Sequence, residues 1–214
     1  QVDDFHGIPV ADPYRWLEDV DAPETLAWVK VQNEFTNKYL EQIPIRNQLR
    51  KRLTELWDYG RAMTIHHRGD CYFQFRNTGL QNQDLLYVME SPTAIGHVLL
   101  DTNSLSEDGT AALNTWSISN DGKWLAYAIS HSGSDWVEWR IRNVVNGEDL
   151  PEILKWSKFS EAAWAHDHSG FYYCRYAAPT EGKLYQEANY NQMVYFHRLN
   201  THQDDDQLVY ARLD

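Results

Sequence analysis

The first part of the chain carries apolar residues at helical spacing. We predict that a helix opens at Pro23, because the first turn of a helix needs no amide donor. One face of this helix carries four large apolar side chains: Trp28, Val31, Phe35 and Tyr39. A second amphipathic helix is predicted after Pro44, with leucines on one side and basic residues mostly on the other. The short corner between them predicts an antiparallel pair whose apolar stripes pack against the rest of the molecule.

From about Met63 onward the apolar period changes from helical to alternating, which predicts β-strands. Turns rich in Gly, Asn and Asp separate these strands, and Asn146-Gly147 is a strong hairpin signal. The strands form three groups, which include segments 85–89, 97–100, 137–142, 150–154, 193–199 and 208–211. The third group contains an insertion between Ala177 and Tyr190.

A repeat links the second and third groups of strands. Trp116 and Gly122 bracket one polar turn, and Trp164 and Gly170 bracket another, 48 residues further along the chain. Short strands that recur at such a period are typical of β-propeller blades. The predicted fold class is therefore mainly β: a partial β-propeller of about three four-stranded blades, preceded by an N-terminal α-helical segment.

The predicted division follows the change of period. Residues 1–62 form the helical segment, and residues 63–214 form the first three blades. A closed propeller needs about four to eight blades, and an open arc would leave an exposed strand edge at each end. We therefore expect this chain to be part of a longer protein.

Composition and charge narrow the possible partners. The chain is 43% hydrophobic, which is typical of a globular protein, and 19 basic against 31 acidic residues give a net charge of −12. This charge repels phosphate backbones and anionic lipids, so neither nucleic acid nor a membrane is an expected partner. No apolar run approaches the roughly 20 residues that span a membrane. We expect a soluble protein of the cytoplasm or periplasm, and the sequence leaves the compartment open.

The chain contains no recognisable serine nucleophile. Such serines in α/β-hydrolases lie on a Gly-x-Ser-x-Gly turn, because the strained backbone needs small residues two positions away on either side. The nearest match is Ser134, but Ser132 and Trp136 stand where the glycines would be. We interpret this segment as a turn within the second blade, so no catalytic residue is predicted.

Histidines, acidic residues and cysteines occur without the spacing that a metal site or a disulfide framework needs. His166 and His168 lack a third zinc ligand at characteristic spacing. The acidic run 204–206 lacks the glycine and the distal glutamate of a calcium loop. Cys71 and Cys174 each lie in the second strand of a predicted blade, where a small apolar residue suits the packing. The sequence therefore predicts no metal site and no cofactor.

Several segments spread along the chain together resemble one family. They are residues 6–7 (His-Gly), 12–19 (Asp-Pro-Tyr-Arg-Trp-Leu-Glu-Asp), 40–46 (Leu-Glu-Gln-Ile-Pro-Ile-Arg), 78–83 (Thr-Gly-Leu-Gln-Asn-Gln), 105–110 (Leu-Ser-Glu-Asp-Gly-Thr) and 132–136 (Ser-Gly-Ser-Asp-Trp). In kind and order they are similar to the N-terminal part of prolyl oligopeptidase, a family of serine peptidases that cut short peptides after proline. The resemblance implies helices that pack on a C-terminal α/β-hydrolase domain, and a seven-bladed propeller that caps the active site.

The family's catalytic serine, aspartate and histidine belong to that C-terminal domain. The resemblance therefore implies that the intact protein is a serine-type endopeptidase, of which this chain is an N-terminal fragment that is inactive alone. The propeller would gate substrate by size. The implied partners are short proline-containing peptides and the protein's own C-terminal α/β-hydrolase domain. The alternative is a noncatalytic β-propeller that serves as a binding or scaffold module.

Two residues match positions that face the substrate in this family. Phe159 matches an aromatic ring that lines a subsite beyond the proline. Asp135 matches an acidic position in the propeller chamber, where it would favour peptides with a free amino group or basic side chains. Each residue has a structural alternative, an ordinary strand aromatic for Phe159 and a turn cap for Asp135.

Overall fold

A computed structural model describes residues 1–180, 184, 185 and 187–212 of the chain. It divides into two compact units. The first comprises Gln1–Leu56 and Thr180–Glu187, and the second comprises Trp57–Pro179 and Ala188–Asp214. The insertion predicted between Ala177 and Tyr190 contains residues 181–183 and 186, which lie outside the described residues. Among the described helices, none is both long and apolar enough to cross a membrane.

The first unit begins with a β-hairpin. Strands β1 (Val2–Phe5) and β2 (Ile8–Ala11) pair antiparallel, and a short 3-10 helix, Arg15–Glu18, follows. Arg15 holds these elements together, because its guanidinium forms ion pairs with both Asp3 and Asp12. The hydrogen bond from Arg15 lowers the pKa of the Asp12 carboxyl below its usual value.

Two helices follow, as the apolar spacing predicts. Helix α1 spans Pro23–Glu41 and helix α2 spans Arg46–Trp57. The antiparallel pairing predicted for them is wrong, because the two helices share no extended contact. The apolar stripe of α1 is exposed instead, with 72% of the Phe35 surface accessible. Only the start of the stripe is packed among the described residues, where the ring of Trp28 lies edge to face on that of Trp16, with centroids 6.3 Å apart.

The second unit contains three antiparallel sheets, which we call blades one, two and three. The strands of blade one are β3 (Arg61–Ala62), β4 (His66–Arg68), β5 (Cys71–Asn77), β6 (Leu85–Met89) and β7 (His97–Leu100). Both β3 and β4 pair with β5, in the order β3-β5-β6-β7. The position predicted for one strand is thus shared by two short ones, which pair with opposite ends of β5.

Blades two and three are four-stranded meanders. The strands of blade two are β8 (Ala111–Ile118), β9 (Trp124–His131), β10 (Val137–Asn143) and β11 (Leu154–Ser157). The strands of blade three are β12 (Ala163–Trp164), β13 (Gly170–Arg175), β14 (Met193–Arg198) and β15 (Gln207–Ala211). The outer strand of blade two begins later than the predicted 150–154. Pro151 accounts for this shift, because it has no amide hydrogen to donate to a neighbouring strand.

Two hydrophobic clusters join the three blades. Strand β9 is buried on both faces and contributes to both clusters through alternate residues. Its larger side chains, Leu125, Tyr127 and Ile129, pack toward blade one. Its alanines, Ala126 and Ala128, pack on the side of Trp139 and blade three, where the indole ring fills the space that they leave. This arrangement confirms the predicted partial propeller.

The repeated tryptophans lie against the cores between the blades. Trp116 packs on the cluster between blades one and two, and Trp164 on the cluster between blades two and three. The indole Nε1 of Trp164 donates to the carbonyl oxygen of Ser117 at 3.2 Å, which links blade three to blade two. Cys71 and Cys174 are both free thiols, in β5 and β13.

Blades two and three contain equivalent polar triads, of which the one in blade three is buried and the one in blade two is partly exposed. In blade two the Tyr127 hydroxyl donates to Asp149 at 2.9 Å, and Arg142 binds the same carboxylate. In blade three the Tyr173 hydroxyl donates to Asp206 at 2.6 Å, and His197 Nδ1 lies 2.7 Å from the other oxygen. The register is the same, since each basic residue lies two positions beyond the cross-strand partner of its tyrosine.

Candidate functional site

Asp135 and Phe159 lie in two connections at the same end of the blades. Asp135 lies between β9 and β10, and Phe159 lies between β11 and β12. Because neighbouring strands are antiparallel, β9 and β11 run in the same direction and finish at the same end of blade two. We call this end the loop face. Tyr176, which follows β13, also lies there, and its amide donates to the carbonyl oxygen of Trp156 at 2.8 Å.

Phe159 is presented to solvent by a constrained turn. Its side chain is 78% exposed, and its φ of +50° lies in the left-handed region, which costs a non-glycine residue about 1 kcal/mol. The next residue fixes the turn, because the hydroxyl oxygen of Ser160 accepts a hydrogen bond from the Cys174 amide at 2.8 Å. Phe159 lies outside every strand, so the alternative of an ordinary strand aromatic is wrong.

Asp135 is exposed and does not cap its own turn. The turn is capped by Ser134, whose hydroxyl oxygen accepts a hydrogen bond from the amide of Trp136 at 3.1 Å. Within residues 1–180, 184–185 and 187–212, the carboxylate of Asp135 accepts no hydrogen bond. The turn-cap alternative is therefore unsupported, and this carboxylate stays available to a ligand.

Three aromatic rings lie beside these two residues. Trp136 packs edge to face against Trp156 and Tyr176, with ring centroids 6.1 Å and 6.0 Å apart. Lys158 completes the group, with its Nζ 4.0 Å from the Trp136 ring centroid. We call these four residues the Trp136 cluster. All three rings are partly exposed at the loop face, and the cluster adjoins Asp135 and Phe159 in the chain.

The ammonium group of Lys158 belongs to a largely buried side chain and lies against an aromatic ring. The residue is only 9% exposed, and burial lowers the pKa of its ammonium below the ordinary lysine value. The negative charge of Asp135 acts in the opposite direction and favours the charged form. The Trp136 ring contributes a cation–π contact that also stabilises the charge. Asp135 and Lys158 are thus electrostatically linked across the loop face.

This arrangement suits an extended peptide. Aromatic surfaces take up proline rings and other apolar side chains, and a carboxylate at the rim attracts an amino group. Asp135 and Phe159 were predicted from the sequence, but the Trp136 cluster was not. The signal was present, since Trp136 follows Asp135 directly and Lys158 precedes Phe159 directly.

Other residues considered in the sequence analysis have structural roles or no assembled site. Ser134 caps its turn, as described above, which agrees with its interpretation as a turn residue. His166 and His168 lie in the turn region before β13. In the part of the chain that the structure describes, no three His, Cys, Asp or Glu side chains form a group that could hold a metal ion.

Comparison with known proteins places the chain in one family. The family described as "Prolyl oligopeptidase, N-terminal beta-propeller domain" matches residues 1–214. A prolyl endopeptidase of Elizabethkingia meningoseptica is 40% identical over 207 residues, which cover 97% of this chain and 29% of that protein. Prolyl oligopeptidase A of Galerina marginata is 35% identical over 229 residues, which cover 95% of this chain and 31% of that protein.

Solved structures agree with the sequence relatives. Prolyl oligopeptidase B from Galerina marginata, bound to a 25mer macrocyclization substrate, superimposes with a TM-score of 0.79 at 30% identity. That match covers 100% of this chain and 33% of the solved chain, so the chain spans about a third of the length of its relatives. With its whole length matched by the family and its three blades in place, the chain belongs to the prolyl oligopeptidase family and corresponds to its N-terminal β-propeller domain.

Proposed function

We propose that this chain is the substrate-selecting part of a serine endopeptidase that hydrolyses short peptides after proline. The observation that carries the proposal is the family match over the entire chain, together with relatives named prolyl endopeptidase and prolyl oligopeptidase. The reacting serine, histidine and aspartate would belong to an α/β-hydrolase domain beyond these residues. There the serine attacks the peptide carbonyl, while the histidine accepts its proton and the aspartate orients the histidine.

The helical segment, residues 1–62, would dock on that hydrolase domain. The exposed stripe of α1 supports this role, because Val31, Phe35 and Tyr39 are all exposed on one face of the helix. A contiguous apolar surface of this kind is typical of an interaction site. The blades, residues 63–214, would form part of the chamber wall in front of the active site. A wall of closely packed blades admits a flexible peptide and excludes a folded protein.

The loop face would meet the peptide. Phe159 would contact a side chain beyond the proline, and Asp135 would attract a free amino group or a basic side chain. The exposed ring of Phe159, the carboxylate of Asp135 and the neighbouring aromatic rings of the Trp136 cluster support this assignment.

The test is an assay of the protein with its hydrolase domain on matched substrates. A chromogenic peptide with proline before the scissile bond should be cleaved at least a hundredfold faster than the same peptide with alanine. The same proline sequence displayed on a folded domain should resist cleavage. A protein that binds peptides but cleaves neither substrate would instead be a noncatalytic propeller. Cleavage of the free proline peptide and of the displayed proline sequence at equal rates would contradict the size gating but not the peptidase activity.

A further inference from the structure

A cavity lies between blades one and two at the end opposite the loop face. Its volume is about 510 Å³, and its walls come from the start of β5, the end of β6, and the turns that follow β8 and β10. The β8–β9 and β10–β11 connections lie at the opposite end of blade two from the β9–β10 connection, because the strands alternate in direction. We call this end the far face. The cavity is therefore separate from the proposed peptide site.

The floor of the cavity is apolar. Val88, Met89 and Val144 line it, and all three are buried. Val88 and Val144 also belong to the cluster that joins blades one and two. The floor is thus part of the packed core, and its shape is held by strands on both sides. An apolar group that enters the cavity would exchange water for this surface, which is favourable.

The rim of the cavity is acidic. Asp70, Glu90 and Asp121 lie there, against Lys123 and one imidazole, that of His97. Asp121 is already engaged, because it accepts a hydrogen bond from Ser119 and lies 3.6 Å from the Lys123 ammonium. In the described part of the chain, the carboxylates of Asp70 and Glu90 have no hydrogen-bond or ion-pair partner. Two negative charges at the rim are therefore not neutralised by the protein.

The thiol of Cys71 lies in the wall of the cavity. Burial raises the pKa of the Cys71 thiol, and the charges of Asp70 and Glu90 raise it further. Both carboxylates also lie beside this wall in the chain, since Asp70 precedes Cys71 and Glu90 follows Met89. An anion would be repelled there, and a neutral apolar molecule would gain nothing from the rim. A cation with an apolar body would satisfy the rim and the floor together.

We propose that this cavity binds a protonated amine that carries an apolar aliphatic or aromatic group. The ammonium lies at the rim beside Asp70 and Glu90, and the apolar group rests on Val88, Met89 and Val144. Such a ligand includes the N-terminus of a peptide that begins with a large apolar residue. The site is independent of the proposed peptidase chemistry, so its failure would leave that proposal untouched.

The test compares 2-phenylethylamine with 2-phenylethanol, which has the same shape and no charge. Binding to the purified full-length protein is measured by calorimetry at pH 8, where histidine side chains carry little charge, and in low salt. The amine should bind at least tenfold more tightly than the alcohol, and added salt should reduce the difference. In NMR spectra the methyl signals of Val88 and Val144 should shift during the amine titration.

Paired variants localise the effect. The double variant Asp70→Asn/Glu90→Gln should lower the amine affinity at least fivefold and leave the alcohol unchanged. Glu107→Gln, which removes an exposed charge away from the cavity, should change neither. Both changed rim residues are exposed, so the fold is expected to survive, and circular dichroism verifies this. Equal affinity for amine and alcohol, an unchanged double variant, or unshifted valine methyls would each overturn the proposal.

Discussion

The backbone N–H of Gly69 donates to the carbonyl oxygen of Asn120 at 3.0 Å, which joins the β4–β5 turn to the β8–β9 turn. Neither turn has room for a side chain at this point. A Cβ on Gly69 would lie 2.1 Å from the carbonyl oxygen of Asp121, and one on Gly122 would lie 2.5 Å from that of Arg68. The spacing of blades one and two is therefore set by direct backbone contact at the far face.

This contact makes Gly122 more sensitive to substitution than a glycine of the same conformation elsewhere. Gly122 and Gly147 have φ values of +76° and +72°, but no atom lies within 4 Å of a Cβ on Gly147. Gly147→Ala should cost only the backbone strain, about 1 kcal/mol. Gly122→Ala adds a clash and should cost about 3 kcal/mol in urea unfolding. Equal losses for the two variants would contradict the close contact.

The buried triad of blade three should make stability fall at high pH. Burial, with the hydrogen bond to Asp206, raises the pKa of Tyr173 above its ordinary value. The folded chain therefore holds this proton above pH 10, where an unfolded tyrosine loses it, so the free energy of unfolding decreases as pH rises. Tyr173→Phe should flatten this dependence and cost about 1 to 3 kcal/mol at pH 7, because Asp206 loses a donor.

The control for Tyr173 is a tyrosine that is exposed. Tyr210, in β15, is 59% exposed, and Tyr210→Phe should leave the alkaline slope unchanged. Chemical denaturation at several pH values between 7 and 11 measures both variants. A slope in Tyr173→Phe that equals that of the unmodified protein would show that this triad does not contribute.

Removal of the exposed ring at the loop face should affect catalysis and not stability. In the protein with its hydrolase domain, Phe159→Ala should lower kcat/KM for a proline peptide about tenfold, which corresponds to about 1.4 kcal/mol of lost contact. The melting temperature should stay the same or rise slightly. Ile95→Ala, an equally exposed apolar residue at the far face, should change neither quantity. An unchanged kcat/KM for Phe159→Ala would remove this residue from the peptide site.

The charge of Asp135 should discriminate between peptides. Asp135→Asn is expected to lower kcat/KM about threefold to tenfold for peptides with a free amino group, and to leave blocked neutral peptides unchanged. The matched control is Asp205→Asn, an exposed carboxylate at the far face. The effect should shrink in high salt, because exposed charges are screened. Equal losses for both kinds of peptide would indicate a structural role for Asp135.

The exposed face of α1 should become buried when the hydrolase domain is present. In the protein with that domain, Phe35→Ala should cost about 3 kcal/mol, as expected for a buried phenylalanine. Lys38→Ala, three residues further along the helix, should cost less than about 0.5 kcal/mol. Thermal unfolding measures both. If both variants were equally stable, the stripe would have no docking role.

The local pattern predicted most of the secondary structure because each signal acts over a few residues. Pro23 marked the start of α1, alternation marked strand β10, and a short continuous apolar run marked strand β6. The boundaries of β11 were less clear, because Pro151 and Glu152 interrupt the apolar pattern just before the strand. The split of the first strand position in blade one was also not predicted, since it depends on which part of β5 each short strand can reach.

The candidate site was predicted only in part. Phe159 and Asp135 came from a family resemblance, since neither has a chemical pattern of its own. The Trp136 cluster was missed because its members come from three connections and from strand β11, and only the antiparallel order of β9, β11 and β13 brings them together. The cavity at the far face was missed for the same reason, because Cys71, Val88 and Val144 are far apart in sequence.

The order of apolar and polar residues by itself determined that this protein has two helices followed by blades, and its motifs determined its family. Those properties depend on neighbours within a few positions, so they can be recognised in the amino-acid sequence. Tertiary structure alone decided that α1 and α2 do not pair, that Gly69 and Gly122 meet, and that aromatic rings gather at one end while acidic residues surround a cavity at the other. Those properties depend on contacts between distant residues, which form only when the strands are in register and the blades are packed.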